Sequence, residues 1–351
     1  MTLQQRRWQP LLEQWVIISA ASSDRPWSGA VTAPVQEQKP RHDPGCYLCP
    51  GVTRASGNTN PHYKEPWAFD NDFASLANTA TKKGSSNDCP VDGADTLGYA
   101  DNAGGVCRVL CWSERHDATL AELSADEMAS VARLWRREYQ DLSTREHIKN
   151  VLIFENKGIE TGVSNLHPHG QIYATNFVTD TATRMRHAQS NYRQHNKQSL
   201  LQAMIDRPEY QQALLVERGD HFVTVVPFAA RFAFESWIVP TRHVQSLAEM
   251  SDEELQELAS MYQRQAQRYD SIFKRSCPNV TLLHNAPCDN SAANNDWCFH
   301  LAMQPPLRDL NKLKYLAGFE SGSGNIINPV QPETAAEVMR QHQHHGQHQV
   351  Q

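Results

Sequence analysis

His167, His169 and Gln171 stand at alternate positions of a short apolar run, with Pro168 and Gly170 between them. In an extended strand alternate side chains share a face, so two imidazoles and an amide point one way and the proline and glycine the other. A neutral imidazole can act as a nucleophile or hold a metal, and an amide can donate to a phosphoryl oxygen. A glycine between His169 and Gln171 also lets a bulky anion such as phosphate come close to the backbone. The spacing points to nucleotidyl transfer. A structural metal site and a half-buried strand with satisfied polar groups are the competing uses of the same pattern.

The flanks supply what such a strand needs. Residues 151–154 are β-branched, aliphatic and aromatic and run into the polar turn Glu155, Asn156, Lys157, Gly158, as a strand leading to a site would. Thr161, Gly162, Val163, Ser164 and Asn165 follow as a loop whose donors can hold phosphate or ribose oxygens. Residues 151–176 therefore read as strand, polar loop, strand.

The chain of 351 residues has room for about two domains and a sizeable core. Its 33 Lys and Arg against 39 Asp and Glu give a formal charge of −6, which argues against a nucleic-acid partner. No run of about 18 apolar residues occurs and the start is polar, so neither a membrane span nor a secretory signal is expected, and the chain reads as cytoplasmic.

Eight unevenly spaced cysteines without a signal segment are expected to be reduced thiols. Cys46 and Cys49 form a CxxC among Pro44, Gly45, Pro50 and Gly51, which suits a tight knuckle for one metal; a redox pair or chance spacing are the alternatives. With no second CxxC, a zinc here would need two ligands from elsewhere. Cys89, Cys107, Cys111, Cys277, Cys288 and Cys298 read as core or loop residues.

A degenerate repeat runs through the chain. Residues 115–124, RHDATLAELS, match residues 242–251, RHVQSLAEMS. Each copy follows an apolar strand-like run and precedes an amphipathic helix announced by Ser124 with Glu127, or Ser251 with Glu254. Each helix is followed by another strand, and His167 falls near the level of His300, so that Ala302 is the counterpart of His169. Only the first copy carries the reactive imidazole, and the second reads as a scaffold or ligand platform. The architecture expected is α+β, with two sheets each crossed by a helix. Residues 1–184 would form a catalytic half with the CxxC knuckle, 185–330 the second copy beginning with a polar helical connector, and 331–351 a mobile Gln/His-rich tail with His342, His344, His345 and His348.

Several separate motifs resemble the galactose-1-phosphate uridylyltransferases of the histidine-triad superfamily: Arg25, Pro26, Trp27; the CxxC; Phe69, Asn71, Asp72 and Phe73 in FDNDF; FENKG at 154–158; Ser164 and Asn165; and HPHGQ. The resemblance spans nearly the whole chain and implies two tandem histidine-triad-like half-barrel units of antiparallel sheet. It makes His169 the nucleophile that takes UMP from a UDP-sugar, with Gln171 hydrogen-bonded to a non-bridging oxygen and ping-pong transfer to a second sugar 1-phosphate. It supplies His116 and His167 as the missing ligands of a structural zinc with Cys46 and Cys49. It implies Arg25 and Asn156 near phosphates, Asn71 and Asp72 near uridine, and Ser164 beside the β-phosphate. It also implies that Lys314, Tyr315, Gly318, Phe319 and Glu320 bind sugar in the active site of the other subunit of a homodimer.

Departures from the pattern count as well. A second metal site found in relatives would here fall on Met185, His284, His300 and Ala302, two donors short, and is expected to be empty. Residues 319–325 are glycine-rich where relatives continue a helix-like run, which resembles a branch containing ADP-sugar phosphorylases. A nucleotide-sugar phosphorylase that uses inorganic phosphate is therefore the alternative enzyme. A nucleotide-binding protein without turnover is the alternative of another class.

Overall fold

The computed structural model describes residues 4–20, 39–77 and 101–342. The strands and helices are β1 (Gln5–Gln9), β2 (Gln14–Ile18), β3 (Trp67–Asp70), β4 (Gly105–Cys111), α1 (Ala125–Ser143), β5 (Asn150–Lys157), β6 (His169–Thr175), α2 (Asp180–Asn196), α3 (Leu200–Ile205), α4 (Pro208–Gln211), β7 (Leu215–Arg218), β8 (Phe222–Val225), β9 (Ser236–Pro240), α5 (Asp252–Phe273), β10 (Asn279–His284), β11 (His300–Gln304), β12 (Leu307–Asp309), β13 (Lys312–Leu313), α6 (Gly318–Ser323), β14 (Ile326–Asn328) and α7 (Pro332–Gln341).

The two copies of the repeat share one sheet. Its nine strands run β3-β4-β6-β5-β10-β11-β9-β8-β7, antiparallel throughout. The two sheets expected from the repeat meet at β5 and β10, where Asn156 lies opposite Val280 and Leu152 opposite His284. Either half alone would expose the edge of β5 or β10, and pairing the two satisfies both rows of backbone groups.

The long helices form as their capping signals dictate. Ser124 accepts from the Glu127 N–H and Glu127 reaches back to the Ser124 N–H; Ser251 and Glu254 repeat the arrangement. Each such cap contributes about 1 kcal/mol. Met128, Val131, Leu134, Trp135, Tyr139 and Leu142 of α1 recur at helical spacing and are buried, and α1 packs beside α5 over one face of the sheet. That face contributes Val151, Ile153, Ile172, Ala174, Ile238, Leu283, Leu301 and Met303 to the same core.

The other face is covered only at its two sides. The knuckle residues Cys46, Leu48, Cys49 and Tyr63 pack on Phe69, Val109 and Cys111, while α2 and α3 pack on Val223, Val225, Trp237, Val239 and Ala302. Between them Leu152, Phe154, Asn156, Gln171, Tyr173 and Leu282 stay partly accessible. This uncovered floor of the sheet carries Gln171, with His169 at its margin and His167 buried beneath the knuckle.

The segment expected as a mobile tail, 331–351, is ordered in its first part. Pro332 opens α7, which buries Ala335, Ala336 and Met339 in the main core. The helix carries an amphipathic pattern, and the Gln/His-rich composition belongs to the sequence that follows it. His344, His345 and His348 lie outside the described residues, as does Cys89. The glycine-rich stretch expected as a departure from helix is α6 in part, ended by Gly324 at φ 72°. No described helix is long and apolar enough to cross a membrane.

Candidate active site

Strand β6 begins at the reactive position. The His169 Nδ1 lies 2.7 Å from the His167 carbonyl oxygen, which can only accept, so Nδ1 carries the proton and Nε2 keeps its lone pair. Burial holds the His169 imidazole below its ordinary pKa against the opposing effect of that hydrogen bond, which favours the neutral, nucleophilic form. Gln171 lies on the same face two residues on, opposite Phe154 of β5 on one side and Val109 of β4 on the other. A cavity of 540 Å³ opens beside His169, lined in part by Asn156, Lys157, Val163, Asn165 and Lys274. Its far wall, Lys274 with Arg275 and Ser276, belongs to the second copy of the repeat.

Pro168 and Gly170 face the covered side, and the reason for the glycine differs from the one its position implies. A Cβ on Gly170 would fall 2.2 Å from Trp112 Cζ2 and 2.8 Å from the Phe154 carbonyl oxygen. The indole, and not an approaching phosphate, excludes a side chain here. Gly170→Ala is accordingly expected to displace the strand between His169 and Gln171, lowering both the melting temperature and the turnover. Overpacking of this kind costs about 1–3 kcal/mol. Paired thermal melts and initial rates check it, and an alanine variant equal to the parent in both would refute the packing argument.

Cys46, Cys49, His116 and His167 are all buried, and their ligand atoms lie within 4.8 Å of one another. Among the described residues they are the one such convergent group. The Nδ1 atoms of His116 and His167 each lie 3.6 Å from Cys49 Sγ. Tetrahedral bonds of about 2.3 Å to sulfur and about 2.1 Å to nitrogen require a separation of about 3.6 Å. The His167 Nε2 lies 2.9 Å from the Ser113 carbonyl oxygen, so it carries the proton and leaves Nδ1 free to coordinate. Tyr63 supports the ring 3.1 Å away. Burial, opposed by the Asp43 backbone N–H and reinforced by Cys46, pushes the Cys49 thiol up to about 12. Burial likewise pulls His167 down to about 3. A divalent cation reverses the first effect and matches the second, because it binds thiolate and neutral imidazole. The donor set therefore fits a structural metal site of the Cys2His2 kind.

The positions of the second site do not fit a metal. Met185 and Ala302 lie in the apolar cluster beneath α2 and α3. His284 and His300 stack with ring centroids 4.6 Å apart, offering two nitrogen donors at most in place of four.

Other expected ligand residues are distributed more widely. Asn156 lines the cavity with His169, whereas Ser164 is exposed and borders an adjoining depression with Asn165, Cys46 and His116. Asn71 accepts from the Phe73 N–H to fix the turn after β3. The Asp72 carboxylate pairs with Arg54 at 3.1 Å, both side chains being nearly buried, so Asp72 shapes that loop. Arg25 lies outside the described residues. Lys314 and Glu320 form a buried ion pair at the base of a projecting loop, with Tyr315 and Phe319 exposed and Gly318 opening α6; none of these five lines the His169 cavity. Arg54, Tyr63, Trp112 and Ser113 bear no motif signal of their own and enter through contacts between distant segments.

An antiparallel sheet crossed by α1 and α5 on one face, whose HxHxQ strand presents a single-tautomer imidazole on the other, defines a histidine-triad type of protein. The chain matches the family model of the galactose-1-phosphate uridyl transferase N-terminal domain over residues 1–179 and that of the C-terminal domain over 185–350, and it belongs to the galactose-1-phosphate uridylyltransferase family. It is 35% identical to the galactose-1-phosphate uridylyltransferase of Haemophilus influenzae over 95% of this chain and 93% of that protein. The enzyme of that name from Rattus norvegicus is 36% identical over 95% of this chain and 86% of its own. The fold also resembles that of an ADP-glucose phosphorylase from Arabidopsis thaliana, with a TM-score of 0.76 at 22% identity over 96% of this chain and 99% of that one.

Proposed function

We propose that the protein moves UMP between UDP-glucose and galactose 1-phosphate, or a related hexose 1-phosphate, through a uridylyl-histidine. One observation carries the reading: His169 Nδ1 is committed to the His167 carbonyl, which leaves Nε2 free on the face shared with Gln171. Nε2 attacks the α-phosphorus as the bond to the bridging oxygen breaks and the hexose 1-phosphate leaves. A phosphate oxygen of the second hexose 1-phosphate then attacks the same phosphorus and the P–N bond breaks, returning neutral His169. The Gln171 amide donates to a non-bridging oxygen, and Asn156 of the cavity wall and the Ser164 loop hold the remaining phosphate oxygens. A carboxamide cannot activate water by proton transfer, so the pair favours transfer over hydrolysis.

Zinc on Cys46, Cys49, His116 and His167 is structural in this reading and ties the knuckle to the catalytic strand. The exposed Tyr315 and Phe319 serve the active site of a second copy, making a homodimer with composite sites. Residues 1–184 form the catalytic half-barrel unit and 185–330 its sugar-binding counterpart, in a cytoplasmic enzyme of galactose metabolism.

The test is isotope exchange. With UDP-glucose and labelled glucose 1-phosphate alone, label is expected to enter UDP-glucose without any galactose 1-phosphate. Label that enters only when galactose 1-phosphate is present would contradict the covalent intermediate. Labelled inorganic phosphate, offered as the acceptor in a parallel arm, identifies a phosphorylase if it is incorporated faster than any hexose 1-phosphate.

A further inference from the structure

Beneath the catalytic strand, on the face covered by α1 and α5, lies a polar cluster given no part in the transfer above, although its Glu155 also borders the His169 cavity. The Glu155 carboxyl is 6% exposed and accepts two hydrogen bonds. Trp112 Nε1 donates to one oxygen at 3.4 Å, and the Tyr262 hydroxyl donates to the other. Tyr262 comes from α5 in the second copy of the repeat, and its hydroxyl also lies 3.2 Å from Thr281 Oγ1 of β10, which accepts from Asn279 Nδ2 at 2.7 Å. Burial raises the Glu155 carboxyl, opposed chiefly by the Tyr262 hydrogen bond.

Filling a core does not need these groups, since apolar side chains of equal volume do so without desolvating a carboxyl. A satisfied polar cluster fixes orientation. Here the oriented group is the Trp112 indole, which stands against Trp135 at 5.9 Å and presents its Cζ2 and Cη2 edge to Gly170. The Trp112 backbone N–H donates to the Pro168 carbonyl at 3.0 Å, so one residue grips the strand on both sides of His169.

We propose that Glu155 is a positioning residue for the transfer: by holding Trp112 it fixes the backbone at Gly170, and with it the aim of His169 and Gln171 on the opposite face. The inference rests on the transferase reading above. It assigns the second copy of the repeat a part in the chemistry, because Tyr262 supplies the second donor to the carboxyl.

The decisive variant is Glu155→Gln, which keeps volume but has one oxygen for two donors. Pre-steady-state formation of the uridylyl-protein from UDP-glucose is expected to slow on the order of 10–100-fold, the scale of a small misplacement of reacting groups. The KM for UDP-glucose should change by less than about 3-fold, since interactions made equally in both states are untouched. Tyr262→Phe, which retains the Trp112 contact, should slow the step less. Glu155→Gln combined with Trp112→Phe should be no slower than the worse single variant, as expected when both act through one contact. A folded Glu155→Gln protein with parental adduct kinetics, a loss confined to KM, or fully additive effects would each overturn the proposal. If Glu155→Gln does not fold, Tyr262→Phe alone decides by the same rate. The parent is run alongside: no adduct on the parent sinks the transferase reading, whereas a parental adduct with an unaffected variant sinks only the positioning role.

Discussion

His169→Ala is expected to lower UMP transfer on the order of 10⁴-fold or more, with UDP-glucose still bound within a few-fold of the parent affinity. The size follows from the loss of the nucleophile itself: without Nε2 no P–N bond forms, and direct displacement between two anionic substrates is left. Binding should survive because the His169 ring hydrogen-bonds the carbonyl of His167, two residues before it, so truncation disturbs no distant partner. Gln171→Ala should be milder, on the order of 10²–10³-fold, as is usual for one donor to a transition-state oxygen. Steady-state rates with calorimetric binding separate the effects. A His169→Ala enzyme retaining a tenth of parental activity would remove His169 from the nucleophile's role.

Removing the metal from the Cys2His2 cluster should have the second-largest effect, and it should act on stability first. Elemental analysis is expected to find one zinc per chain, and Cys49→Ala to lose it together with on the order of 10 °C of melting temperature. Cys49 is the ligand near both imidazoles, at 3.6 Å from each, so its loss frees His116 and His167 together. Turnover should fall further than stability alone explains, because the His167 carbonyl sets the tautomer of His169. Metal-free protein with the same melting temperature in parent and variant would contradict a structural role.

The readable parts of this protein are those whose cause is local in sequence. The alternation of His169 and Gln171 fixed a shared face, and Ser124 with Glu127 and Ser251 with Glu254 fixed the starts of α1 and α5, because side-chain periodicity and capping act over a few residues. The convergence of Cys46 and Cys49 with His116 and His167 was legible only through family resemblance, since nothing in the spacing of 46, 49, 116 and 167 brings them together. The joining of two expected sheets through β5 and β10 could not be read, because either strand shows the same apolar run whether it lies at an edge or in the middle. Gly170 was misread for a related reason: the indole that excludes its side chain comes from Trp112, just past the end of β4. The ion pair of Asp72 with Arg54 could not be read either, because the two lie in separate loops. In α7, Ala335, Ala336 and Met339 at helical spacing were overshadowed by the Gln/His-rich sequence that follows the helix.

That His169 accepts the nucleotidyl group is tested by intact mass after brief incubation of the protein with UDP-glucose and no acceptor. Quenching above neutral pH preserves a phosphoramidate, which acid would cleave. The expected result is a gain of one uridylyl group per chain in the parent, reversed by added hexose 1-phosphate and absent in His169→Ala. No gain with UDP-glucose, or the same gain in the His169→Ala variant, would contradict it.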